Sequence, residues 1–453
     1  MSYLSFKDPD AKVVRFQDEF FRLIHANYVE EFQGIITCGL YQELIDHELM
    51  IAHETVQHPL QSKEYPLVIR PEQLAYQVLP FEWSMHMWFD CLRAFLQINL
   101  IALKYGYLLK DATPYNFSLH RGKMMLFDSS SFIRFKEGDP WNAYRQFCEE
   151  MLGPYLLIRY NGQTWSKLMM SSIRGLELSF IAKNLPLKSW FNLQALVHIH
   201  LHKNFSNQKK IAHKEVSPKK IFTKESLIKL LESLLGSFNE SHLPSEGHWK
   251  DYYQAYLESD TYLPTKKAII KNWLSNVSVD SVVDLGANVG EFSFLAAEVA
   301  EKVLSVEADP TCVDAMLHHI KNQRQTKVHP ALVDLTQVSP NLGNNLQEYA
   351  SLLERGASEM VFALALVHHL AITYSFSFQQ IIELFNRFST KYLVVEFIEK
   401  SDEKVQLLLQ NRGKEFPDFT IENFETCLLD KFQLIEKVQI PSSKRVLYFV
   451  SKL

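Results

Sequence analysis

The C-terminal half of the chain predicts an α/β fold in which helices flank a mostly parallel β-sheet. Short apolar runs of strand length alternate there with segments of helical periodicity, a pattern that folds as right-handed βαβ units. A glycine-containing turn at 284–290 joins the first strand to the first helix. Only residues 441–444 separate the last two strands, which is short enough for a hairpin, so the sheet should end in an antiparallel strand.

The strands of this sheet and the helices between them are predicted, in chain order, from their apolar runs and from residues that typically start or end a helix. Pro310 opens the second helix and Gly356 closes the third, as these residue types commonly do. The predicted strands are 281–285, 302–308, 327–335, 360–367, 391–398, 433–440 and 444–453. The predicted helices are 290–300, 310–323, 344–356, 378–389, 402–413 and 420–432.

The N-terminal half is less regular and predicts an α+β domain. A strand-like run at 74–83 precedes a long apolar helix at 84–106. Two short strands, 117–120 and 124–128, then flank a turn around Gly122.

A basic segment between Lys203 and Ser226 separates the two halves. It carries seven Lys against two Glu, which favours a solvated border, with a polyanion-binding patch as the alternative. The expected organisation is an N-terminal domain at 1–202, a linker and an amphipathic helix at 203–245, and a second domain at 246–453.

Composition and charge are those of an ordinary globular protein. Hydrophobic residues make up 47% and charged residues 22%, and the formal net charge of -5 gives no reason to expect a nucleic-acid partner. The N-terminus is charged where a signal peptide is apolar, and no run reaches the ~18 apolar residues of a membrane span. Five scattered cysteines form no CxxC pair, so we expect no metal, no membrane partner and a cytoplasmic location.

The residues around the glycine turn indicate the ligand that it binds. Asp284 precedes the turn, Glu291 follows it, and Asn288 stands where a dinucleotide-binding GxGxxG turn has its second glycine. Neighbouring carboxylates disfavour a pyrophosphate on the helix N-terminus. They suit a ligand that carries a cationic amino group and a sulfonium.

Further acidic residues follow the second and third strands. Glu307 ends the second strand, where a carboxylate accepts hydrogen bonds from both ribose hydroxyls, and Asp309 is near enough to share that role. Asp334, after the third strand, is placed to receive an adenine amino group. Taken alone, Asp334 could cap a turn and Glu291 a helix N-terminus, so the joint pattern carries the prediction.

The segments DLGANVGEFS and SVEADP, which contain these residues, resemble motifs I and II of class I S-adenosylmethionine-dependent methyltransferases. The resemblance covers roughly Trp273 to Leu453 and implies a Rossmann-like, seven-stranded sheet with an antiparallel last strand. It also implies that the methionine end of S-adenosylmethionine is lined by Asp284, Gly286, Asn288 and Gly290. By the same resemblance Glu307 holds the ribose and Asp334 lies at the adenine.

The end of the fourth strand carries two candidate catalytic residues, His368 and His369, where the family places the transferred methyl group. A histidine titrates near neutral pH and can accept a proton or position an acceptor; a histidine satisfied in the core is the alternative. Glu396, at the end of the fifth strand, is a second candidate. Before the sheet lies an aromatic run that predicts a packed lid helix or a tyrosine closing over the ligand. Its members are Trp249, Tyr252, Tyr253 and Tyr256.

Asp111, Asn116 and Asp128 repeat a spacing found in kinases, where an Asp accepts the substrate proton and an Asn and a second Asp bind metal. The long helix, the loop and the hairpin occur in the same order, so this segment resembles the catalytic and metal loops of the kinase-like superfamily. No GxGxxG loop or VAIK-type lysine precedes it, and Ser-Ser replaces Phe-Gly after Asp128. These departures favour a degenerate kinase-like domain over an active kinase, and an unrelated turn pattern is the alternative.

Taken whole, the chain resembles a two-part bacterial family named after host-specific nodulation in rhizobia. The segments that carry this resemblance are KDATPYN from Lys110, AYRQFCE from Ala143, and the C-terminal DLGANVGEFS, ALVHHLAI and VVEF. It implies methyl transfer with S-adenosylmethionine as cofactor and defines no substrate. The function we predict is O- or N-methylation of an unidentified small-molecule or natural-product acceptor. The alternatives are a pseudokinase-linked methyltransferase acting on a protein or carrier-bound substrate, and a non-catalytic interaction protein that retains the fold.

Overall fold

The protein is described by a computed structural model. The structure describes residues 2–3, 8–17, 19–202, 223–239, 262–413 and 415–453. The chain divides into two compact units, the N-terminal unit (Met1–Pro244 with Asn341–Tyr349) and the C-terminal unit (Ser245–Pro340 with Ala350–Leu453). The aromatic run from Trp249 to Tyr256 and most of the expected linker lie outside the described residues. No helix of the described ranges is long and apolar enough to cross a membrane.

The N-terminal unit begins with a five-stranded antiparallel sheet. Its strands are β1 (Ser2–Tyr3), β2 (Ala11–Phe16), β3 (Glu19–Ile24), β4 (His53–Val56) and β5 (Leu67–Pro71), in the order β1-β2-β3-β5-β4. Helices Val29–Cys38 and Leu40–Asp46 connect β3 to β4. The chain turns between these two helices at Gly39, whose φ of 88° is open to glycine without a steric penalty.

A long helix and four short strands follow the sheet. The helix Met85–Lys104 starts after Ser84, whose hydroxyl accepts a hydrogen bond from the Met87 amide. The strands are β6 (Tyr107–Leu109), β7 (Phe117–His120), β8 (Lys123–Leu126) and β9 (Phe132–Arg134), with β7 paired to β8 and β6 to β9. Arg121 and Gly122 have φ values of 49° and 77°, the backbone that a two-residue hairpin turn requires. The predicted hairpin is therefore formed.

The strand predicted at 74–83 is not formed, and this prediction is wrong. A single helical turn, Pro80–Glu82, takes its place, because Pro80 has no N–H to donate to a neighbouring strand. Side chains satisfy the local backbone instead. Glu82 Oε2 accepts from the Leu79 amide at 2.8 Å, and the Trp83 indole donates to the Val78 carbonyl at 2.8 Å.

The rest of the N-terminal unit is helical. Its segments are Tyr144–Gln146, Phe147–Leu152, Gly153–Asn161, Gln163–Lys167, Leu168–Ser171, Leu178–Asn184, Leu187–Phe191, Leu193–Ala195, Leu196–Leu201 and Lys224–Ser237. In the last of these, Leu227, Leu231 and Leu234 are buried at the spacing of one helix face, which confirms the amphipathic helix predicted there.

The C-terminal unit is built on a seven-stranded mixed sheet. Its strands are β10 (Ser281–Leu285), β11 (Lys302–Glu307), β12 (Val328–Leu332), β13 (Ser358–Ala363), β14 (Ser389–Ile398), β15 (Phe432–Gln439) and β16 (Arg445–Lys452). They lie in the order β12-β11-β10-β13-β14-β16-β15. The pairs among β10 to β14 are parallel, and β16 is antiparallel to both neighbours. The predicted α/β fold with an antiparallel last strand is confirmed.

Helices cover this sheet as Tyr262–Ser275, Glu291–Ala296, Pro310–Gln323, Leu352–Arg355, Phe378–Phe388, Glu403–Arg412 and Ile421–Leu429. The helix predicted at 344–356 is shortened to Leu352–Arg355. Asn345 and Leu346 have positive φ values, 51° and 58°, and the bridge between Leu342 and Tyr349 closes a small loop. This backbone is incompatible with a right-handed helix, so the loop interrupts the predicted one.

The strand order places a crevice at the centre of the sheet. β10 is flanked by β11 on one side and β13 on the other, so the connections that follow β10 and β13 leave the sheet edge in opposite directions. Open α/β sheets bind ligands at the carboxyl ends of the strands at such a point. The glycine turn after β10 and the histidines after β13 both lie there.

Candidate functional site

The turn after β10 is held open by left-handed backbone. Gly286, Asn288 and Gly290 have φ values of 74°, 51° and 86°. A Cβ at Gly290 would lie 2.9 Å from side-chain atoms of both Met316 and Phe294, so no larger residue fits there without rearrangement. Asn288 tolerates this conformation better than most residues. The loop is therefore closely packed at Gly290 and takes a backbone conformation that glycine and asparagine adopt most readily.

Glu307 fixes this loop from the end of β11. Its Oε2 accepts a hydrogen bond from the Asn288 amide at 2.7 Å, and its Oε1 accepts from the amides of Ala308 at 2.7 Å and Asp309 at 2.8 Å. Burial raises the pKa of Glu307, although these amide donors oppose the shift. The structure thus brings the predicted ribose-binding carboxylate against the predicted cofactor loop.

Asp284 lies beneath the same loop at the end of β10. Only 2% of it is exposed, and its carboxylate accepts a hydrogen bond from the Ser293 hydroxyl at 2.7 Å. Burial raises its pKa to about 6, while Ser293 and the Lys266 ammonium pull in the opposite direction. A largely ionised carboxylate with few partners at neutral pH suits a cationic ligand group.

The other acidic candidates are engaged locally. Asp309 Oδ1 accepts from the Thr311 amide at 2.8 Å and caps the helix Pro310–Gln323. Asp334 Oδ1 accepts from the Thr336 amide at 2.9 Å, which makes it a turn cap in this structure. Glu291 forms an ion pair with Lys267. Cofactor contacts by Asp309 and Asp334 stay predictions.

Glu396 is held at the end of β14 by two residues that the sequence did not single out. Its Oε2 accepts from Lys266 Nζ at 2.6 Å and its Oε1 from the Tyr262 hydroxyl at 2.5 Å, and none of its surface is exposed. Arg445 Nη1 in turn donates to the Tyr262 hydroxyl at 3.0 Å. Burial alone would raise the pKa of Glu396, but the contacts with Lys266 and Tyr262 outweigh it and lower the pKa.

One signal for this group was present in the sequence. Tyr262 and Lys266 are four residues apart, so they lie on one face of the helix Tyr262–Ser275. Their common partner, however, lies more than a hundred residues away along the chain. No local pattern could have identified it.

The two histidines start the turn after β13 and differ in environment. Their ring centroids are 4.2 Å apart. His368 is 3% exposed, and its Nδ1 has no hydrogen-bond partner among the described residues. Burial, His369 and the cations Arg445 and Lys266 lower its pKa to about 3, so it is neutral at physiological pH. His369 is exposed, and partial loss of water around its ring also lowers its pKa.

In the N-terminal unit the predicted kinase-like residues are only partly assembled. Asn116 Nδ2 donates to Ser131 Oγ at 3.1 Å, and Ser131 Oγ donates to Asp128 Oδ2 at 2.6 Å. Asp128 also forms an ion pair with Arg22 of β3. Burial raises the pKa of Asp111. The resemblance of this unit to kinases stays a prediction, and within the described ranges no group of three His, Cys, Asp or Glu residues could hold a metal ion.

The residues around the loop fit S-adenosylmethionine. The loop takes left-handed backbone at Gly286, Asn288 and Gly290, and the carboxylates Asp284 and Glu307 lie beside it. An anionic ligand group would be repelled by these carboxylates. A cationic amino group and the hydroxyls of a ribose are complementary to them.

Comparison with known proteins gives one curated relative and several solved structures. No protein-family model matches the chain. The nodulation protein NoeA of Rhizobium meliloti (strain 1021) is 26% identical over 456 residues, with 98% of this chain and 94% of that protein covered. The N-methyltransferase NodS from Bradyrhizobium japonicum WM9 is similar with a TM-score of 0.33 and 12% identity, covering 43% of this chain and 99% of that one. The magnesium protoporphyrin IX methyltransferase ChlM from Synechocystis PCC 6803, with bound SAH, gives a TM-score of 0.34 and 14% identity over 46% and 95%.

Proposed function

We propose that the C-terminal unit is an S-adenosylmethionine-dependent methyltransferase that acts on a small-molecule or natural-product acceptor at oxygen or nitrogen. The observation that carries this proposal is the contact between Glu307 Oε2 and the Asn288 amide, 2.7 Å long, at the centre of a seven-stranded sheet with an antiparallel last strand. A carboxylate at this point is suited to accept hydrogen bonds from a nucleoside ribose and would repel a pyrophosphate, which supports the proposal.

The cofactor would be held by the loop, by the buried Asp284 and by the half-buried Glu307. We expect the backbone of Gly286, Asn288 and Gly290 to approach its methionine end and Glu307 to accept from its ribose. Asp284 is positioned beneath this loop to balance a cationic amino group. Bound there, the cofactor would supply an electrophilic methyl group on a sulfonium sulfur. The contribution of the chain is then mainly the alignment of the acceptor with that group.

On the acceptor side the two histidines would have different roles. His368 stays neutral because burial and the nearby cations Arg445 and Lys266 disfavour its protonation, so it is suited to orient an acceptor through a hydrogen bond. His369 is the better candidate to accept a proton, since it is exposed and its lowered pKa is caused by loss of water rather than by those cations. Glu396, with both oxygens engaged and a lowered pKa, is suited to anchor the surrounding residues.

Calorimetric titration of the full chain tests the cofactor part of the proposal. We expect saturable binding of S-adenosylmethionine and S-adenosylhomocysteine and no binding of NAD, because the two carboxylates oppose a pyrophosphate. Absence of binding at millimolar S-adenosylmethionine would remove both methyltransferase readings and leave the non-catalytic interaction protein.

Isotope-labelled cofactor tests the transfer itself. Incubation with small-molecule extracts should yield labelled products, and His369→Asn should lower their rate of formation by roughly 10²–10⁴-fold if His369 accepts a proton. His47→Asn, at an exposed histidine of the N-terminal unit, is the matched control. Label appearing only in protein or carrier-bound species would favour the pseudokinase-linked alternative.

A further inference from the structure

The N-terminal unit exposes a group of large apolar side chains between Leu187 and Leu201. We call this group the apolar stripe; its members and their exposed fractions are Phe191 94%, Leu187 84%, Leu193 65%, Trp190 44%, Leu201 44% and Val197 40%. Single exposed apolar residues are normal on protein surfaces, but a contiguous group of this size marks an interaction surface.

The stripe is continuous in space. Leu193, Val197 and Leu201 recur every fourth residue along the helical run from Leu193 to Leu201, so they share one face, while Ile199 is buried on the other. Trp190, from the preceding turn, stacks on the ring of His200 with centroids 4.3 Å apart and 9° between the planes. The turn Leu187–Phe191 therefore lies against the same helical run.

Buried hydrogen bonds hold the stripe in place. Ser189 Oγ lies 2.8 Å from His200 Nε2, and the Tyr144 hydroxyl lies 2.6 Å from His198 Nδ1. Both histidines are buried beneath the stripe. The exposure of the apolar side chains is thus a property of a packed segment and does not arise from a frayed end.

The charge of this part of the chain is one-sided. Residues 178–214 contain six Lys and no Asp or Glu, although the whole chain carries a formal net charge of -5. Lys183 and Lys188 are described and exposed, and Lys188 belongs to the same turn as Leu187 and Phe191. The other four lysines lie between positions 203 and 214 of the sequence, outside the described residues.

We propose that the apolar stripe docks the protein on the surface of a bilayer that contains anionic lipids. Exposed Leu and Phe side chains enter the headgroup and acyl boundary, Trp favours that boundary, and lysines beside them pair with anionic headgroups. The expectation of no membrane partner rested on the charged N-terminus and on the lack of an apolar run of membrane-spanning length, and neither criterion detects apolar residues that cluster on a surface. Docking of this kind needs no membrane-spanning helix.

Co-sedimentation of the full chain with vesicles tests this inference. With phosphatidylcholine vesicles that also contain phosphatidylglycerol, the bound fraction should exceed that with phosphatidylcholine alone by at least about fivefold, and added salt should reduce it. The double variant Leu187→Ser, Phe191→Ser should lower binding to the anionic vesicles by about tenfold, since it removes two exposed apolar side chains that would insert into the bilayer.

The matched control is Leu407→Ser, at a leucine of the C-terminal unit that is 58% exposed, which should bind like the unaltered chain. Circular dichroism and binding of S-adenosylhomocysteine should be unchanged in the double variant, because the stripe lies outside the proposed cofactor site. Equal binding by the double variant, or no binding of the unaltered chain to anionic vesicles, would overturn the inference. The inference would also be overturned if light scattering showed that the unaltered chain is a dimer and the double variant a monomer, because the stripe would then join two copies of the chain.

Discussion

Replacement of Glu307 addresses the cofactor site at the scale of one residue. Its carboxylate is held against the loop by amide donors from Asn288, Ala308 and Asp309. We expect Glu307→Ala to weaken S-adenosylmethionine binding by about 1.5–3 kcal/mol, the cost of losing a charged hydrogen-bond partner. Isothermal titration calorimetry measures this change.

Two further variants separate the ligand contact from damage to the loop. Glu307→Gln keeps an acceptor for the loop amides but loses the charge, so it should fall between the unaltered chain and Glu307→Ala. Glu301→Ala changes an exposed carboxylate just before β11 and should bind normally. Unchanged affinity in Glu307→Ala would remove this residue from the site.

Asp284 gives a prediction about pH. Burial raises its pKa to about 6, above the value of about 4 expected in the unfolded chain. A carboxyl of this kind disfavours folding where it is ionised in the folded state, and this penalty disappears as the pH falls through the folded pKa. We expect Asp284→Asn to stabilise the C-terminal unit by up to about 3 kcal/mol near neutral pH and by little near pH 4.

Thermal unfolding of the two proteins across this pH range provides the measurement. The same variant should bind S-adenosylmethionine more weakly, since it loses the charge beneath the loop. Gain of stability with loss of binding is the pattern expected of a functional residue. An asparagine variant that is less stable than the unaltered chain at every pH would contradict the assignment.

At the scale of elements, the helix Tyr262–Ser275 is fastened to β14 by the buried pair Lys266 and Glu396. Lys266→Met would leave Glu396 buried and unpaired, which typically costs about 3–5 kcal/mol in the free energy of unfolding. Lys267→Met is the matched control, because its ion pair with Glu291 is about one third exposed and such pairs contribute roughly 1 kcal/mol or less. Chemical denaturation compares the two.

The buried pair Lys266 and Glu396 also predicts how the stability of the protein depends on pH. The folded pKa of Glu396 is lowered, so its stabilising contribution is present above the unfolded pKa and is lost as the pH falls through the folded pKa. The double variant Lys266→Met, Glu396→Leu removes both charges and should recover much of the lost stability. Equal effects of Lys266→Met and Lys267→Met would contradict the role given to the buried pair.

Two segments do not form the secondary structure that their sequence pattern predicts. The predicted helix at 344–356 is interrupted because Asn341–Tyr349 belongs to the N-terminal unit and closes its own loop. The predicted strand at 74–83 is replaced by a turn in which the side chains of Glu82 and Trp83 satisfy the backbone. In both segments, turns closed by contacts between residues only three to seven positions apart replace the predicted element.

For the whole molecule, the N-terminal unit is the part whose role the sequence leaves open. Asp128, which the predicted kinase resemblance makes a metal ligand, contacts Arg22 and accepts hydrogen bonds from Ser130 at 2.8 Å and Ser131 at 2.6 Å. Burial alone would raise its pKa, but Arg22 and the hydroxyls lower it. The carboxylate is thus neutralised by a guanidinium, so a divalent cation would have to displace that ion pair.

We therefore expect no shift in melting temperature when ATP and Mg²⁺ are added to the full chain. S-adenosylhomocysteine serves as the positive control in the same thermal-shift assay, because it should stabilise the C-terminal unit by mass action. Stabilisation by ATP and Mg²⁺ that disappears in Asp128→Ala would instead establish a nucleotide site in the N-terminal unit.

The sequence by itself determined the C-terminal sheet and predicted which residues meet at the glycine loop. Alternating apolar runs predict the strands, and Gly286 and Gly290 predict a turn after the first of them, because both signals are local properties of the backbone. Glu307 could be placed at the loop because the carboxyl ends of parallel strands meet at one edge of a sheet.

Only the tertiary structure decided which charges are paired and which apolar residues remain outside. Lys266 and Glu396 are 130 positions apart, and Arg22 and Asp128 are 106 apart. Leu187 and Phe191 are hydrophobic, so their residue types predict burial and not the exposure that the structure shows. Pairing and burial depend on which segments pack together, and the pKa of each buried group follows from that packing, so none of these could be obtained from the order of residues alone.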